Sequence, residues 1–225
     1  MKRGILSVYW GDETKLPIER LKLSVRKFHP ELPHEIIKVD APMDRQDSLY
    51  IKSQMMDMSP FEETLFLDID TVVMGNLNFG FQKAEQFGLA VCICEAPWAK
   101  RYRNIFSGDE IEYNTGVLFF TKKAFHVFES WKSLVKVVDS SIDLVKGSER
   151  ARMEANDQGS FALAIEKTGF NPFVLPLNWN FRPMWQRSFF GPIKIWHDYA
   201  DPPPFFEEMN RYYASPDSII QYHQG

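Results

Sequence analysis

The most constraining feature of the sequence is an apolar run that two aspartates interrupt. Residues 64–67 (Thr-Leu-Phe-Leu) and 71–74 (Thr-Val-Val-Met) flank the tripeptide Asp68-Ile69-Asp70. A continuous apolar run of this length is typical of a strand that is covered on both faces, as in the middle of an α/β sheet. Two carboxylates inside such a run are costly unless another group neutralises them. The sequence therefore predicts a buried strand with an acidic pair in it or at its end.

The acidic pair favours a divalent cation in two different geometries. If the strand continues through the pair, both side chains point to the same side, because strand side chains alternate. If the chain turns there, Asp68 and Asp70 lie at the carboxyl end of the strand, where open α/β sheets bind ligands. In both cases Mg²⁺ or Mn²⁺ is the expected partner, since these ions prefer oxygen ligands. The alternative is an acidic turn that only ends a strand, and the burial cost argues against it.

The composition is that of a globular protein. Of the 225 residues 44% are hydrophobic and 25% are charged, which argues against both a disordered chain and a membrane protein. The net charge is only −4 and no stripe of Lys and Arg is present, so we expect no nucleic-acid partner. No apolar run reaches the ~18 residues of a transmembrane segment, and residues 1–9 lack the features of a signal peptide. Cys92 and Cys94 are predicted to be buried structural thiols, which favours a cytoplasmic location.

Alternating strands and helices predict a mostly parallel central sheet with helices on both faces. The predicted strands are residues 4–9, 35–39, 64–67, 87–94 and 117–120, and the predicted helices are 16–28, 48–58, 122–138 and 156–167. Since no linker or internal repeat interrupts this order, we expect one α/β domain over residues 1–225. The polar stretch 139–155 is expected to form a mobile loop near the site.

Five segments, taken in order, resemble one enzyme family. Residues 65–73, with Asp68-Ile69-Asp70 inside them, resemble the Asp-x-Asp segment of GT-A-fold glycosyltransferases, especially the glycogenin-like and galactosyltransferase-like members of family 8. The four other matches are Asn114-Thr115-Gly116 at a strand entry, Asn156-Asp157-Gln158 at a helix start, Leu175 to Asn180 (Leu-Pro-x-x-x-Asn), and Lys194 to His197 at a terminal strand. The resemblance that they support covers residues 1 to about 205.

The resemblance implies a metal-dependent transfer of a hexose from a nucleotide-sugar donor. A UDP-sugar is the favoured donor, and the acceptor would be a glycan, a lipid-linked sugar or a protein. Negative charge grows on the diphosphate as the anomeric bond breaks, and a divalent ion bridging both phosphates stabilises that charge. Asp68, Asp70 and His197 are the implied metal ligands, and this donor set suits Mn²⁺ or Mg²⁺. An ordinary half-buried histidine is the alternative for His197.

The resemblance also assigns roles around the donor. The implied donor-binding residues are Tyr9, Asp12, Lys52, Asp68 and Lys194, and the implied catalytic residues are Asn114, Asp157 and Gln158. Structural alternatives remain for several of them. Lys52 suits a solvated helix face, Asn114 suits a turn, and Asp157 is also a candidate N-cap. Glu154 is a speculative further carboxylate.

The sequence departs from the family pattern after His197. The family often has a lysine there that binds the diphosphate, whereas this chain has Asp198-Tyr199-Ala200-Asp201 followed by three prolines. The leaving group would then meet Lys194, Lys52, Arg182 or the metal alone. We therefore make no prediction about the anomeric configuration of the product.

Two other functions remain open from the residues. The acidic pair also fits a haloacid-dehalogenase-like phosphatase that uses Asp68 and Asp70, although no apolar strand leads into the later acidic pair that such an enzyme needs. A catalytically silent nucleotide-sugar-binding module is the other alternative. An aromatic cluster near the C-terminus is interpreted as an acceptor platform, a peripheral membrane contact or core packing: Trp179, Phe181, Trp185, Phe189 and Phe190.

Overall fold

The acidic segment follows an interior strand of a six-stranded sheet. The computed structural model describes residues 2–11, 15–95, 107, 109–146, 148–153, 155–186, 188–212 and 221–223. Its strands are β1 Arg3–Tyr9, β2 His34–Lys38, β3 Glu63–Leu67, β4 Thr71–Val73, β5 Leu89–Ile93, β6 Tyr113–Thr121, β7 Ile142–Lys146, β8 Glu149–Met153, β9 Phe173–Leu175, β10 Ser188–Phe190, β11 Ile195–His197 and β12 Gln221–His223. Its helices are α1 Lys15–Phe28, α2 Arg45–Ser53, α3 Met55–Met58, α4 Asn78–Phe87, α5 Phe125–Leu134, α6 Gln158–Thr168 and α7 Pro204–Tyr212.

The sheet is mostly parallel, as predicted. Its strand order is β2-β1-β3-β6-β5-β9. The pairs β1–β2, β1–β3 and β5–β9 are parallel, while β6 is antiparallel to both of its neighbours. Five strands therefore run in one direction and only β6 runs in the other. Among the described residues no helix is long and apolar enough to cross a bilayer.

Helices cover both faces of the sheet because the central strands are apolar on both sides. On one face, Leu6 and Phe66 pack with Phe128 and Trp131 of α5 and Phe161 of α6. On the other face, residues of the alternate register pack with α1 and α4, namely Ile5, Leu65, Leu67, Leu21, Val25 and Phe81. All five residues of β3 are buried. This confirms the prediction of a strand covered on both faces.

The chain turns immediately after β3 instead of continuing straight. The Thr71 amide and hydroxyl donate to the Asp68 carbonyl at 3.2 and 2.7 Å, which closes a tight turn around the acidic pair. Strand β4 then leaves the main sheet and pairs antiparallel with β11, so that Thr71 lies opposite His197. The turn places the aspartates at the carboxyl end of β3, and the pairing of β4 with β11 brings His197, 127 residues after Asp70 in the chain, to the same place.

Three secondary-structure predictions were wrong in part. The stretch 139–155, predicted as a loop, contains the antiparallel hairpin β7–β8, in which Asp143 and Arg152 are register partners joined by an ion pair of 3.3 Å. The helix predicted over 48–58 starts earlier, at Arg45, because the Asp44 side chain accepts from the Asp47 amide, and it is broken at Gln54. Helix α4 was not predicted, and its last residue, Phe87, had been assigned to the next strand.

Candidate active site

A cavity of about 380 Å³ opens where β1 and β3 end. Its floor is built from the turn after β3 and from the start of β6, and its sides come from α2, from the start of α6 and from the end of β11. The residues that line it are Val8, Tyr9, Trp10, Arg45, Ser48, Leu49, Lys52, Phe66, Asp68, Ile69, Asp70, Asn114, Thr115, Gly116, Asn156, Asp157, Gln158, Arg182, His197 and Tyr199. The carboxyl edge of a mostly parallel sheet is the usual place for a ligand site in this fold class.

The three predicted metal ligands lie together in this cavity. The Nε2 atom of His197 is 3.3 Å from Oδ1 of Asp70 and 4.0 Å from Oδ2 of Asp68. One ligand atom from each of the three residues falls within 4.8 Å of the others. Two carboxylates and one imidazole nitrogen can therefore converge on a single cation.

A hydrogen-bond chain fixes the orientation of the His197 ring. Oδ1 of Asn114 accepts from the Gly116 amide at 2.9 Å, so this atom is an oxygen. The Asn180 group facing it at 2.8 Å must then be the donor Nδ2, which leaves Asn180 Oδ1 to accept from Nδ1 of His197, also at 2.8 Å. Because Nδ1 carries the proton, Nε2 faces the carboxylates either as a lone pair directed at a cation or as the second N–H of an imidazolium.

Gly116 is required by the closeness of these ligands. A methyl group built on its Cα would lie 2.7 Å from Asp68 Oδ2 and 3.1 Å from Asn114 Oδ1, and closer still to Cε1 of His197. The strand β6 backbone thus forms one wall of the cluster. Any larger residue at this position would displace either the carboxylate or the imidazole.

Lys52 joins the acidic pair to a third carboxylate. Its Nζ donates to Asp68 Oδ2 at 2.8 Å and lies 3.5 Å from Asp157 Oδ2. Burial alone would lower the pKa of Lys52, but the carboxylates of Asp157 and Asp68 outweigh it and raise the pKa above its ordinary value. Lys52 is therefore a buried, charged group in the site, and not a solvated lysine on a helix face.

The local charge is unbalanced. Asp68, Asp70 and Asp157 surround one ammonium group, that of Lys52. Burial raises the pKa of the Asp68 carboxyl against the opposing effect of Lys52, whereas His197 overcomes the burial of Asp70 and lowers its pKa. A divalent cation between the three ligands would offset the excess negative charge, and the oxygen-rich donor set fits Mn²⁺ or Mg²⁺.

Two acceptor atoms at the start of α6 point to a further ligand. Asp157 Oδ2 and Gln158 Oε1 are buried and have no hydrogen-bond partner among the described residues. Asp157 was also a candidate helix cap, but Asn156 accepts from the Gln158 amide at 3.0 Å, while the Asp157 side chain makes no capping bond within the described part of the chain. Buried unpaired acceptors are costly, so this pair favours a ligand that carries hydroxyl or amide donors.

The other predicted residues divide into three groups. Tyr9 and Arg182 line the cavity, and Arg182 is held by an ion pair of 3.2 Å with Glu95. Lys194 is not one of the described residues that line it, and its ammonium lies 6.0 Å from the ring centroid of Trp179. Asp12 lies outside the described residues, as does the speculative Glu154.

The aromatic cluster does not form one surface. Trp179 and Phe181 are buried in two different parts of the core, which matches core packing, while Trp185 is only partly buried. The side chains of Phe189 and Phe190 lie outside the described part of the structure.

Sequence reasoning missed several cavity residues. Arg45, Trp10 and Tyr199 line the cavity, and Asn180 orients the histidine, yet none of them was assigned a role. A signal existed for Asn180, since it ends the Leu-Pro-x-x-x-Asn segment. No comparable signal existed for Arg45, whose place in the cavity depends on where α2 begins.

Comparison with solved structures gives the fold independently of the sequence. No protein-family model matches the sequence, and no curated protein matches it. The structure resembles apo mouse xyloside xylosyltransferase 1 with a TM-score of 0.59 at 13% identity, over 90% of this chain and 99% of that one. It resembles the galactosyltransferase LgtC, solved with donor and acceptor sugar analogues, with a TM-score of 0.56 at 14% identity, over 96% and 97% of the two chains.

A third solved structure extends the same similarity. It is a glycosyltransferase involved in glycosylating the major capsid of PBCV-1, with a TM-score of 0.57 at 15% identity, over 94% of this chain and 99% of that one. This chain has the GT-A fold of the glycosyltransferases. The fold expected from the five segments is confirmed. Since the identities are low, a particular donor or acceptor does not transfer with the fold.

Proposed function

We propose that this protein is a metal-dependent glycosyltransferase that moves a hexose from a nucleotide-sugar donor, with a UDP-sugar favoured. The main support for the proposal is one cavity that holds both a candidate cation site and buried acceptors without a hydrogen-bond partner among the described residues. Asp68, Asp70 and His197 converge on a single point, and Asp157 and Gln158 line the same cavity with oxygens that have no hydrogen-bond partner among the described residues. A nucleotide sugar offers a diphosphate to the first and hydroxyl groups to the second.

Asp68, Asp70 and His197 would hold the divalent ion. When bound, that ion supplies Lewis-acid stabilisation of the charge that develops on the diphosphate leaving group. Asn180 keeps the His197 ring turned so that Nε2 faces the site. Lys52 keeps Asp68 and Asp157 in place and compensates part of their charge.

The donor sugar would be bound at the start of α6. Asp157 Oδ2 and Gln158 Oε1 accept from sugar hydroxyls, which satisfies both orphaned atoms at once. Asn114 contributes through Nδ2, because its Oδ1 is already occupied by the Gly116 amide and Asn180. These three residues would hold the sugar in a fixed orientation relative to the bond that breaks. Such orientation lowers the barrier to transfer of the sugar.

Three cationic side chains are placed to replace the lysine that is missing after His197. Lys52, Arg182 and Arg45 line the cavity, whereas Lys194 does not project into it. The Arg45 Nε donates to the Ala155 carbonyl at 2.9 Å, next to the segment that carries Asp157. Arg45 and Arg182 are therefore our candidates for contacts with the diphosphate in addition to the metal.

The test is a titration of the pure protein with UDP-glucose, UDP-galactose and GDP-mannose, each with and without Mn²⁺. Binding is followed by calorimetry, and slow donor hydrolysis by nucleotide release. We expect one donor to bind only with the metal, and Asp70→Asn to abolish that binding. Asp57→Asn is the matched control, because Asp57 is a half-exposed carboxylate that pairs with Lys132 and is not among the described residues that line the cavity.

Two results would contradict the proposal. If no nucleotide sugar binds with Mn²⁺ and the protein releases phosphate from p-nitrophenyl phosphate, the phosphatase alternative replaces it. If a nucleotide sugar binds but is neither hydrolysed nor transferred to any glycan, lipid-linked or protein acceptor, the protein is a silent binding module.

A further inference from the structure

Arg20 of α1 bonds to two segments that each carry a metal-ligand candidate. Its Nη2 donates to the Asp70 carbonyl at 3.2 Å and to the Asp198 carbonyl at 2.6 Å. Its Nη1 donates to the Tyr199 carbonyl at 2.6 Å and to the Asp201 carboxylate at 3.3 Å. The Arg20 side chain is 18% exposed, so it is largely covered by the segments that it contacts.

The two segments meet at the end of a very short ladder. Strands β4 and β11 have three register pairs, and the last of them is Thr71 with His197. Beyond that pair the Asp198 amide donates to the Asp70 carbonyl at 3.0 Å, the same carbonyl that Arg20 contacts. A three-pair ribbon supplies little stability of its own, so contacts at its end decide how far Asp70 and His197 separate.

Helix α1 is tied to β4 at a second point. One turn after Arg20, the Ser24 hydroxyl accepts from the Val73 amide at 3.0 Å. Residues four apart lie on the same face of a helix, so α1 presents both groups to the same ribbon. The helix therefore acts as a fixed support, and Arg20 extends that support to the backbone of Asp70 and of the residue after His197.

We propose that Arg20 is a positioning residue that holds Asp70 and His197 at the separation needed to bind a divalent cation. This rests on the proposed function, because it assumes that the cluster binds a metal. An arginine suits the task, since its planar guanidinium can donate to several carbonyls at once, whereas the ammonium of a lysine is a compact point charge on a flexible chain. Outer partners that orient ligands typically change metal affinity by ~10–100-fold when they are removed.

The experiment measures Mn²⁺ binding to the full chain from the loss of the free-ion EPR signal. Arg20→Met and Arg20→Lys are compared with the wild type, and Lys27→Met is the matched control. Lys27 lies on the same helix and bridges to Glu207 of α7 at 3.0 Å, away from the cluster. We expect both Arg20 variants to bind Mn²⁺ at least ~10-fold more weakly, and the control to be unchanged within about twofold.

A second measurement separates positioning from general stability. The melting temperature is recorded for each variant in EDTA and in saturating Mn²⁺. Loss of a merely structural contact would lower both temperatures equally, whereas loss of positioning reduces the increase that Mn²⁺ produces. Asp201→Asn is expected to have only a small effect, because that carboxylate is 82% exposed.

The outcomes distinguish the inference from the proposed function. If the wild type does not bind Mn²⁺, both are wrong. If the wild type binds and both Arg20 variants bind equally well, only the positioning role of Arg20 is wrong. If Arg20→Met does not fold, Arg20→Lys decides, because it keeps the charge and the aliphatic stem: wild-type affinity in that variant contradicts the requirement for the guanidinium.

Discussion

The two ends of strands β1 and β3 carry similar charged groups in different arrangements. At the amino end Arg3 and Glu63 are register partners, and two guanidinium nitrogens of Arg3 lie 2.9 and 2.6 Å from one oxygen of the buried Glu63 carboxylate. Lys2 approaches the other oxygen at 3.5 Å. At the carboxyl end Asp68, Asp70 and Asp157 surround Lys52. In this group three carboxylates lie around one ammonium group, whereas at the amino end two cations lie around the Glu63 carboxylate.

This difference separates a structural ion pair from a binding site. The amino-end carboxylate has a partner at each oxygen, so nothing further is required there. At the carboxyl end the buried acceptors Asp157 Oδ2 and Gln158 Oε1 have no hydrogen-bond partner among the described residues, and Asp157 shares its only ion-pair partner there, Lys52, with Asp68. Buried charges and acceptors left in this state are unfavourable to the fold and are explained by a ligand that completes them.

The largest expected effect on stability appears when one carboxylate at each end of the strands is neutralised in turn. We expect Glu63→Gln to destabilise the protein by about 2 kcal/mol, because it leaves the Arg3 guanidinium without its carboxylate; the value lies below the cost for a fully buried pair since Arg3 is partly exposed. Asp68→Asn, measured in EDTA, is expected to cost little or nothing, because burial raises the pKa of the Asp68 carboxyl and its charged form is therefore disfavoured in the folded protein. Urea unfolding at pH 7 gives both values, and equal losses in the two variants would contradict the comparison.

The next effect concerns the orientation of His197. We expect Asn180→Ala to weaken Mn²⁺ binding by about 10-fold, since the imidazole loses the acceptor that holds Nδ1–H. Asn178→Ala is the control: Asn178 is equally buried two residues earlier, but its amide bonds to the Pro192 carbonyl, away from the cluster. If the two variants lose the same Mn²⁺ affinity, the loss reflects general destabilisation and not the His197 contact.

The sequence predicted those parts of the site that depend on local pattern. An apolar run interrupted by aspartates specifies a buried strand and its carboxyl end, so Asp68 and Asp70 could be placed without coordinates. His197 could be proposed only through the resemblance, because its approach to Asp70 depends on the pairing of β4 with β11 over a long separation in sequence. Local periodicity carries no information about such a pairing.

The placements that could not be predicted from the sequence depended on contacts between elements. Lys194 precedes a strand that reaches the site, but its ammonium lies 6.0 Å from the ring centroid of Trp179, and it is not among the described residues that line the cavity. Arg20 lies in a helix that was predicted well, yet the positioning role that we propose for it rests on four oxygens, three of the backbone and one of a side chain, that the fold brings to its guanidinium. Neither placement follows from the spacing of residues.

His34 has a buried ring nitrogen that lacks a hydrogen-bond partner among the described residues, although His34 lies outside the candidate site. It begins β2, opposite Ile5, and its Nε2 lies 3.1 Å from the Ser7 hydroxyl, while its buried Nδ1 has no partner among the described residues. Burial, helped by the nearby charge of Lys22, lowers the pKa of His34 to about 4. The ring is therefore neutral in the folded protein at pH 5, whereas it takes up a proton in the unfolded chain, in which its pKa is about 6.5.

The free energy of unfolding should consequently decrease as the pH is lowered, because His34 then takes up a proton more readily in the unfolded chain. Because the unfolded state binds the proton more tightly, the contribution of His34 is complete above pH 6.5 and is lost progressively as the pH falls towards 4. Between pH 7 and pH 5 we expect the wild type to lose about 1 kcal/mol more than His34→Gln, a value reduced to allow for the partial exposure of the ring. Urea unfolding at the two pH values measures the difference. If the free energy of unfolding of the wild type and of the variant changes equally between the two pH values, the fold does not hold His34 neutral. The buried Nδ1 would then require a bound partner, as the acceptors at the carboxyl end do.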